Sequence, residues 1–561
     1  MGTITKKKIK GNNYYYYVES RRVNGKPRII NQVYLGTAEK VLKDTQGGQR
    51  PKEARHQSFG DVATLYEISE QLGIIQAINS TVDKKVTEIS IGQYFLSAAI
   101  NRACEATGKN DMVNWYKRTA LQDIMKIDPN RLTSQNFWEA MDWVDESDII
   151  KIEESIWRKL YQKWGVNLDL LMYDTTNFAN YLDTRTESIL SQRGKNKQGR
   201  DYLRQAGLAL AVTKESGTLW VLPIFHMLYP GNCHDARLFP TAISTLVDRI
   251  IRITKGVYKL TLVFDKGMNS KDNFSLLGKR QVSFIGSLKP SDHKELLRID
   301  KGHFLPLPDS SDTFYETRKE VFGAKRRIII TYSDKLYRRK LHNLERRIKA
   351  ARDEVHTLIA RLNAAKAEDI PGKRGRKKGD INIDAHLKEI LRKRRVKDLL
   401  VATVSQQGGK LLVSIVRKTR AVEALKKTFG KTLLFTDRED MAPEEIVSAY
   451  RGKNVVEDVY KQMKDPKAVP FSPVYHWTDQ KIRVHAFICV IALLLVKVMH
   501  MLMIKNTELR MNIPTVLEEL NDIRVIILIY SISTCEKMLS GMSKIQNRLF
   551  TVYGLQKYSP G

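Results

Sequence analysis

Three carboxylates in this sequence have the types and settings that chemistry on phosphate esters needs. Asp174 closes the apolar run VNLDLLMYD, 166–174, and Asp265 closes YKLTLVFD, 258–265. Each run reads as a buried strand, and α/β sheets place their sites at the carboxyl ends of strands. Each aspartate comes after an aromatic, Tyr173 or Phe264. Polar or small residues come next, Thr175 and Thr176 in one case, Lys266 and Gly267 in the other. The third carboxylate is Glu457, in AYRGKNVVEDVYKQMKD, 449–465, which reads as one helix. Val455, Val456, Val459 and Met463 give it an apolar stripe. Tyr450, Lys453, Glu457, Lys461 and Lys464 recur at steps of three and four on a second face. Carboxylate oxygens suit hard cations of the magnesium type, and lysine heads suit phosphates. Two such ions, about 3.5–4 Å apart, activate a water or a 3′-hydroxyl and stabilise the leaving oxygen of an in-line phosphoryl displacement. Taken one at a time, the same residues are a turn former, a helix cap and a solvated helix face.

The bulk of the chain agrees with a polyanionic partner. Its 561 residues exceed one core, so three or four domains are expected. Lys and Arg number 94 against 62 Asp and Glu, a net charge of +32. The basic residues are spread along the whole chain, which favours nucleic acid over a membrane surface. Cys104, Cys233, Cys489 and Cys535 are far apart and form no CxxC pair, so free thiols of a reducing compartment are expected and a zinc framework is not. The N-terminal stretch has no apolar core of a secretory signal. AFICVIALLLV, 486–496, ends at Lys497 and is too short to span a bilayer, so it reads as a buried helix. No GxxxxGK[ST] loop occurs, which excludes a nucleotide-driven motor of that type. Asn232, His234 and Asp235 read as a turn and helix cap, and His485 as a core residue.

The elements that must position the carboxylates can be read from periodicity. YYYYVESRRVNGKPRIINQVYLG, 13–35, reads as a β-hairpin around Val23-Asn24-Gly25-Lys26. Residues 56–165 read as helical, a DNA-end-binding domain or a plain helical platform. From 166 come three strands, a helix, a strand, a helix and a strand, which make a mixed α/β layer up to 288. The basic loop 191–204 lies within it. Residues 289–437 interrupt the layer with strands, a heptad-patterned helix from Leu341 to Leu362, and two basic runs, 371–380 and 391–397. That helix suits a helical hairpin or a dimer arm. The Glu457 helix and an apolar helix fill 438–505, and 506–561 is helical with one strand-like run.

YDTTNFANY, DKGMNS and the Tyr–Lys–Glu–Lys helix resemble the DDE transposases of bacterial insertion sequences. The branch in question carries Tyr, two residues, Arg, three residues, Glu, six residues, Lys. Tyr450, Lys453, Glu457 and Lys464 hold that spacing, with lysine where the branch has arginine. The change removes bidentate phosphate gripping at that point, and Arg451 stands next to it. PVYHWTDQKIRVHAFICVIALLL, 473–495, is similar to the segment on the C-terminal side of the glutamate helix in the branch. The resemblance implies a ribonuclease-H-like catalytic core, an α/β fold with a mixed sheet flanked by helices, interrupted by an insertion domain. It implies that Asp174, Asp265 and Glu457 bind two magnesium ions, with manganese as a substitute. It implies cleavage at the terminal inverted repeats and joining to target DNA. Tyr450, Lys453 and Lys464 would hold phosphates beside the cut, with Arg451 and Lys461 as further DNA contacts. A homodimer on DNA, working in a bacterial cytoplasm at the nucleoid, is the implied setting, with no membrane partner. A metal nuclease without strand joining and a non-enzymatic basic DNA-binding protein are the rival expectations.

Overall fold

The structure, a computed structural model, describes all residues except 1, 10–11, 24–25, 39, 42–50, 83–88, 195–201, 216, 257, 309, 368–381, 473, 531–534 and 561. The basic run 371–380, half of the loop 191–204 and the turn residues Asn24 and Gly25 lie outside the described residues. The chain forms two compact units. One comprises Met1–Ser283 with Arg451–Gly561, the other Phe284–Tyr450.

The first unit holds the two aspartates. Its mixed sheet is built on the strand Leu170–Asn180. The short strand Thr261–Val263 runs parallel to it, and Arg204–Thr213 pairs antiparallel on the other side. Leu222–Pro230 then pairs antiparallel with Arg204–Thr213. The strand Arg204–Thr213 is buried along nearly its whole length, which is why it reads as continuous apolar sequence, AGLALAVT. The helix Asp235–Thr254 lies between the strands Leu222–Pro230 and Thr261–Val263 in sequence, and Lys271–Lys279 comes after Thr261–Val263. Ser270 caps the latter helix by accepting from the Asn273 N–H.

The rest of the first unit is a helical block around Asp479–Asn506. This helix is apolar on every side, and Val484 through Val496 are buried without exception. A helix of that kind must be wrapped by others. Gly60–Leu72, Ile91–Cys104, Ser134–Asp142 and Glu146–Trp164 do the wrapping, with Ile513–Asn521 and Lys544–Val552. The expectation of a short run ending at Lys497 is corrected here. The helix spans 28 residues and is long and apolar enough to cross a membrane, yet 83% of its most apolar window is buried inside the protein. Lys497 stays within it as a buried side chain whose pKa burial pushes down to about 8. At the N-terminus the hairpin Asn12–Val23 with Lys26–Thr37 gains a third strand, Gly2–Ile9, GTITKKKI. Three consecutive lysines, Lys6 to Lys8, hid that strand from a search for apolar runs.

The second unit is an antiparallel sheet with a helical attachment. The strands Thr313–Val321, Ala324–Tyr332, Lys431–Thr436 and Ser283–Ser287 pair in that order. The heptad-patterned sequence forms one helix, Asp334–Ala367. Leu344, Ile348 and Ala351 are buried against Leu391, Val396, Leu399 and Leu400 of the same chain. Val355 packs on Leu387 and Ile390 of the helix Ile383–Lys393. The stripe is therefore filled within the chain, as a helical hairpin capped by the strands Leu400–Gln407 and Lys410–Arg417. The four cysteines are free thiols.

One buried charge cluster ties the helical block to the sheet of the first unit. Glu153, on Glu146–Trp164, forms an ion pair with Arg249, Oε2 to Nη2 2.8 Å, and its Oε1 lies 2.5 Å from His226 Nδ1. Arg249 is 1% exposed and lies over the rings of Trp157 and Phe225. Removing one partner of such a pair leaves a buried charge uncompensated. Glu153→Ala is expected to lower stability by about 3–5 kcal/mol. Urea unfolding reads this, and a loss below about 1 kcal/mol would show that the guanidinium is solvated some other way.

Candidate active site

Strand register brings the two aspartates together. Leu170 faces Thr261, Leu171 faces Leu262 and Met172 faces Val263 in the parallel pair. Counted on by two residues, that register puts Asp174 and Asp265 at the same level, at the carboxyl end of the shorter strand and on neighbouring strands about 4.8 Å apart. Each spends one oxygen in the same way. Asp174 Oδ1 accepts from the Thr175 N–H and Asp265 Oδ1 from the Lys266 N–H, both at 2.8 Å. The expectation that Asp174 ends its strand is corrected, because pairing with Arg204–Thr213 carries the strand on to Asn180. Asp265 lies two residues beyond Thr261–Val263 and caps a turn at Lys266–Met268.

The sequence 449–465 forms two helices, Pro443–Gly452 and Asn454–Lys464, and not one. The break falls at Gly452-Lys453. Glycine is a weak helix former, and a Cβ at Gly452 would press on Met172 Cε at 3.3 Å, beside the Asp174 strand. Lys453, 7% exposed, reaches Asp265 Oδ2 with its Nζ at 3.5 Å. Tyr460, 4% exposed, donates to the carbonyl of Asp174 at 2.7 Å and lies 3.1 Å from that of Leu208. Lys464 Nζ donates to Thr176 Oγ1 at 2.7 Å. These three anchors, at 453, 460 and 464, keep the helical steps of three and four with Glu457 in the series. Glu457 itself is exposed on the first turn of Asn454–Lys464.

Lys461 is not in that series. It turns outward and pairs with Asp458 at 2.7 Å, both side chains mostly exposed. The place assigned to it belongs to Tyr460, whose ring is buried against the strand. Tyr450 falls in the second unit, and Arg451 is exposed at the end of Pro443–Gly452. The aspartate in GNCHDARLF also has a part that the cap reading missed. Asp235, in the first turn of its helix, accepts from the Thr175 hydroxyl at 2.8 Å, immediately beside Asp174. His234 occupies the cap position without a side-chain bond.

The electrostatics keep the site anionic and its phenols neutral. Burial pushes the Asp265 carboxyl up, but the Lys453 ammonium and the Lys266 N–H outweigh it and hold the pKa below the usual carboxylate value. Burial, then the charge of Asp174, push the Tyr460 hydroxyl far up, so it stays a donor. The donor set is all oxygen, as hard cations require. Asp174 and Asp265 stand on neighbouring strands, and Glu457 is carried on the helix joined to them through Tyr460 and Lys453. Among the described residues no three His, Cys, Asp or Glu side chains are already gathered tightly enough to hold an ion. In this structure the positive charge beside Asp265 is that of Lys453. The fit to a divalent ion is therefore one of donor type and of the aspartate pair, with Glu457 still to be drawn in.

Residues 182–495, more than half of the chain, match the family model described as transposase DDE domain, and the chain belongs to that family. The matched span contains Asp265 and Glu457 and begins just after the strand that carries Asp174. No curated protein matches the chain. Among solved structures it is similar to piggyBac transposase in a synaptic complex with hairpin DNA, at 9% identity and a TM-score of 0.36, over 84% of this chain and 82% of that one.

Tyr460 ties the helix to the aspartate strand. Tyr460→Phe removes a donor from two main-chain oxygens in a buried place and is expected to cost about 1–3 kcal/mol. Urea denaturation of the two proteins measures it, and equal midpoints would mean that the hydroxyl anchors nothing.

Proposed function

We propose that this chain is the transposase of a bacterial insertion sequence, of the branch with the Tyr-Arg-Glu-Lys helix. It binds the terminal inverted repeats of its element, cleaves the DNA there and joins the freed 3′ end to target DNA. The observation that carries the reading is the register pairing of Asp174 and Asp265 with the Glu457 helix anchored across them. The sheet Leu170–Val263 is then the ribonuclease-H-like core, and the unit Phe284–Tyr450 its insertion domain. The net charge of +32 supports DNA as the partner. A homodimer on paired ends, in the bacterial cytoplasm at the nucleoid, is part of the same proposal.

Asp174, Asp265 and Glu457 would hold magnesium, with manganese as a substitute. Bound there, two such ions supply an activated oxygen nucleophile and stabilisation of the leaving 3′-oxygen. The protein's own residues supply the rest. Lys453 keeps Asp265 ionised at neutral pH. Lys464, exposed and held at Thr176, is placed to take a DNA phosphate. Arg451 adds to that grip, and Tyr450 is a further DNA contact. Tyr460 stays protonated and fixes the distance between helix and strand. Asp235, through the Thr175 hydroxyl, orients the main chain next to Asp174. Lys461 contributes charge to the outer surface only.

The experiment supplies the protein with magnesium, labelled DNA carrying its element's ends and a target plasmid. Nicked and joined products are expected from the wild type. Glu457→Gln is expected to lose both by at least about 100-fold, consistent with loss of one of three carboxylates, while DNA binding by gel shift persists. Cleavage without joining would make the protein a nuclease. Binding unaccompanied by cleavage, and unchanged by the substitution, would make it a DNA-binding protein with incidental carboxylates.

A further inference from the structure

The Asp174 strand continues to Asn180, and there the first unit presents a second surface. Asn180 bridges to Val474 in parallel register, and the Tyr181 N–H donates to the Val474 carbonyl at 3.1 Å. From Val474 onward the side chains alternate, as in an extended strand. Tyr475 and Trp477 point outward, 60% and 73% exposed. His476 points inward, 4% exposed, with its ring 5.1 Å from Trp138 and 4.8 Å from His485. Tyr181, 48% exposed, lies against Tyr475 with ring centroids 5.6 Å apart. The segment is fixed at its far end too. Asp479, at the start of the central helix, accepts from Ser188 Oγ at 2.5 Å and from the Ile189 N–H at 2.7 Å.

Exposed aromatic side chains are few in this protein. Among the described residues with large exposed apolar side chains, five are aromatic: Trp143, Tyr181, Tyr202, Tyr475 and Trp477. Three of the five are gathered at this point. Two lysines back the segment from the His476 side. Lys109 and Lys481 place Nζ 4.7 and 4.6 Å from the Trp138 ring, Lys109 Nζ is 3.2 Å from His476 Nε2 with its pKa pushed down by burial to about 7, and Lys481 pairs with Asp142 at 2.9 Å. Burial first, then neighbouring cations, push the His476 and His485 imidazoles down, His485 to about 3. Both rings are thus neutral packing groups that hold the segment from behind.

We propose that Tyr181, Tyr475 and Trp477 form a stacking platform for unpaired nucleotides of the DNA substrate. The proposal rests on the DNA-processing reading above and specifies what that DNA must look like. Rings offered on a pinned segment cost little ordering on binding, and every base has a π-face to place on them. Inside a duplex those faces are covered by neighbouring base pairs, so a strand parted from its complement is the form that fits. Seven extended residues separate Asp174 from Tyr181, about 23 Å at 3.3 Å per residue. The platform therefore takes nucleotides several positions from the scissile phosphate, while Lys464 stands beside Thr176 on the way. The same rings would also suit a second copy of this chain. The net charge of +32 argues against that, because two like-charged chains repel and a phosphate backbone attracts.

The test measures binding of the full chain by fluorescence anisotropy to a blunt duplex, the same duplex with a single-stranded tail, and the tail alone. A 2-aminopurine in the tail reports stacking. Wild type is expected to prefer the tailed DNA and to quench the probe. Trp477→Ala and Tyr475→Ala are each expected to weaken tailed binding roughly ten-fold, with blunt-duplex binding unchanged and Trp477→Phe restoring most of the loss. Unchanged tailed binding in both alanine variants, or equal losses on blunt and tailed DNA, would overturn the platform while leaving the DNA reading intact. A change in self-association by sedimentation, without a change in tail preference, would assign the rings to a copy of the chain and overturn it as well. Wild type that binds neither form would sink the DNA reading and the platform with it.

Discussion

The site depends on the pairing that sets two carboxylates at the same level on neighbouring strands. Parallel pairing of Leu170–Met172 with Thr261–Val263 fixes the register that places Asp174 and Asp265 there. Burial of Asp265 disfavours its charged form. The helix Asn454–Lys464 answers this with the Lys453 ammonium at its entry and a phenol at Tyr460 on the Asp174 carbonyl. Lys453 keeps helical backbone angles, φ −54° and ψ −30°, so its side chain stays in step with Tyr460 and Lys464 and reaches Asp265.

The same logic orders the elements around the site. The Asp174 strand is longer than its parallel partner because it must pair with Arg204–Thr213 along its full length. That extra length carries the chain past the carboxylates to Asn180 and the aromatic segment 474–478. The central helix Asp479–Asn506 begins where that segment ends, so the core of the helical block also fixes the surface beside the sheet. One run of sequence, 453–506, therefore supplies the helix anchors, the glutamate, the exposed rings and the main core helix of the first unit.

Much of this was legible in the residues. The strands ending near Asp174 and Asp265 stand out because buried strands read as unbroken apolar runs, and the α/β order came from counting them. The serine cap of Lys271–Lys279 and the intrachain filling of the Leu341–Leu362 stripe also agree with local pattern. Each failure had a physical cause. Polar TTNFAN hid the second half of the Asp174 strand, because its residues face a docked helix and a neighbouring strand in place of a plain apolar layer. Lys461 fitted the helical step from Glu457, and only the depth of packing shows that Tyr460 holds that place. Asp235 looked like a cap because its partner, the Thr175 hydroxyl, is sixty residues away in sequence and adjacent only through the fold.

The central claim is that Asp174, Asp265 and Glu457 come to share one divalent-ion site. The most direct measurement replaces magnesium with ferrous iron and lets ascorbate and peroxide cut the protein main chain next to the bound metal. Fragments mapped by mass spectrometry are expected to end near 174, 265 and 457 together, with all three cuts lost in Asp265→Asn. Cuts at one of these positions without the others, or cuts clustered elsewhere on the chain, would contradict the account.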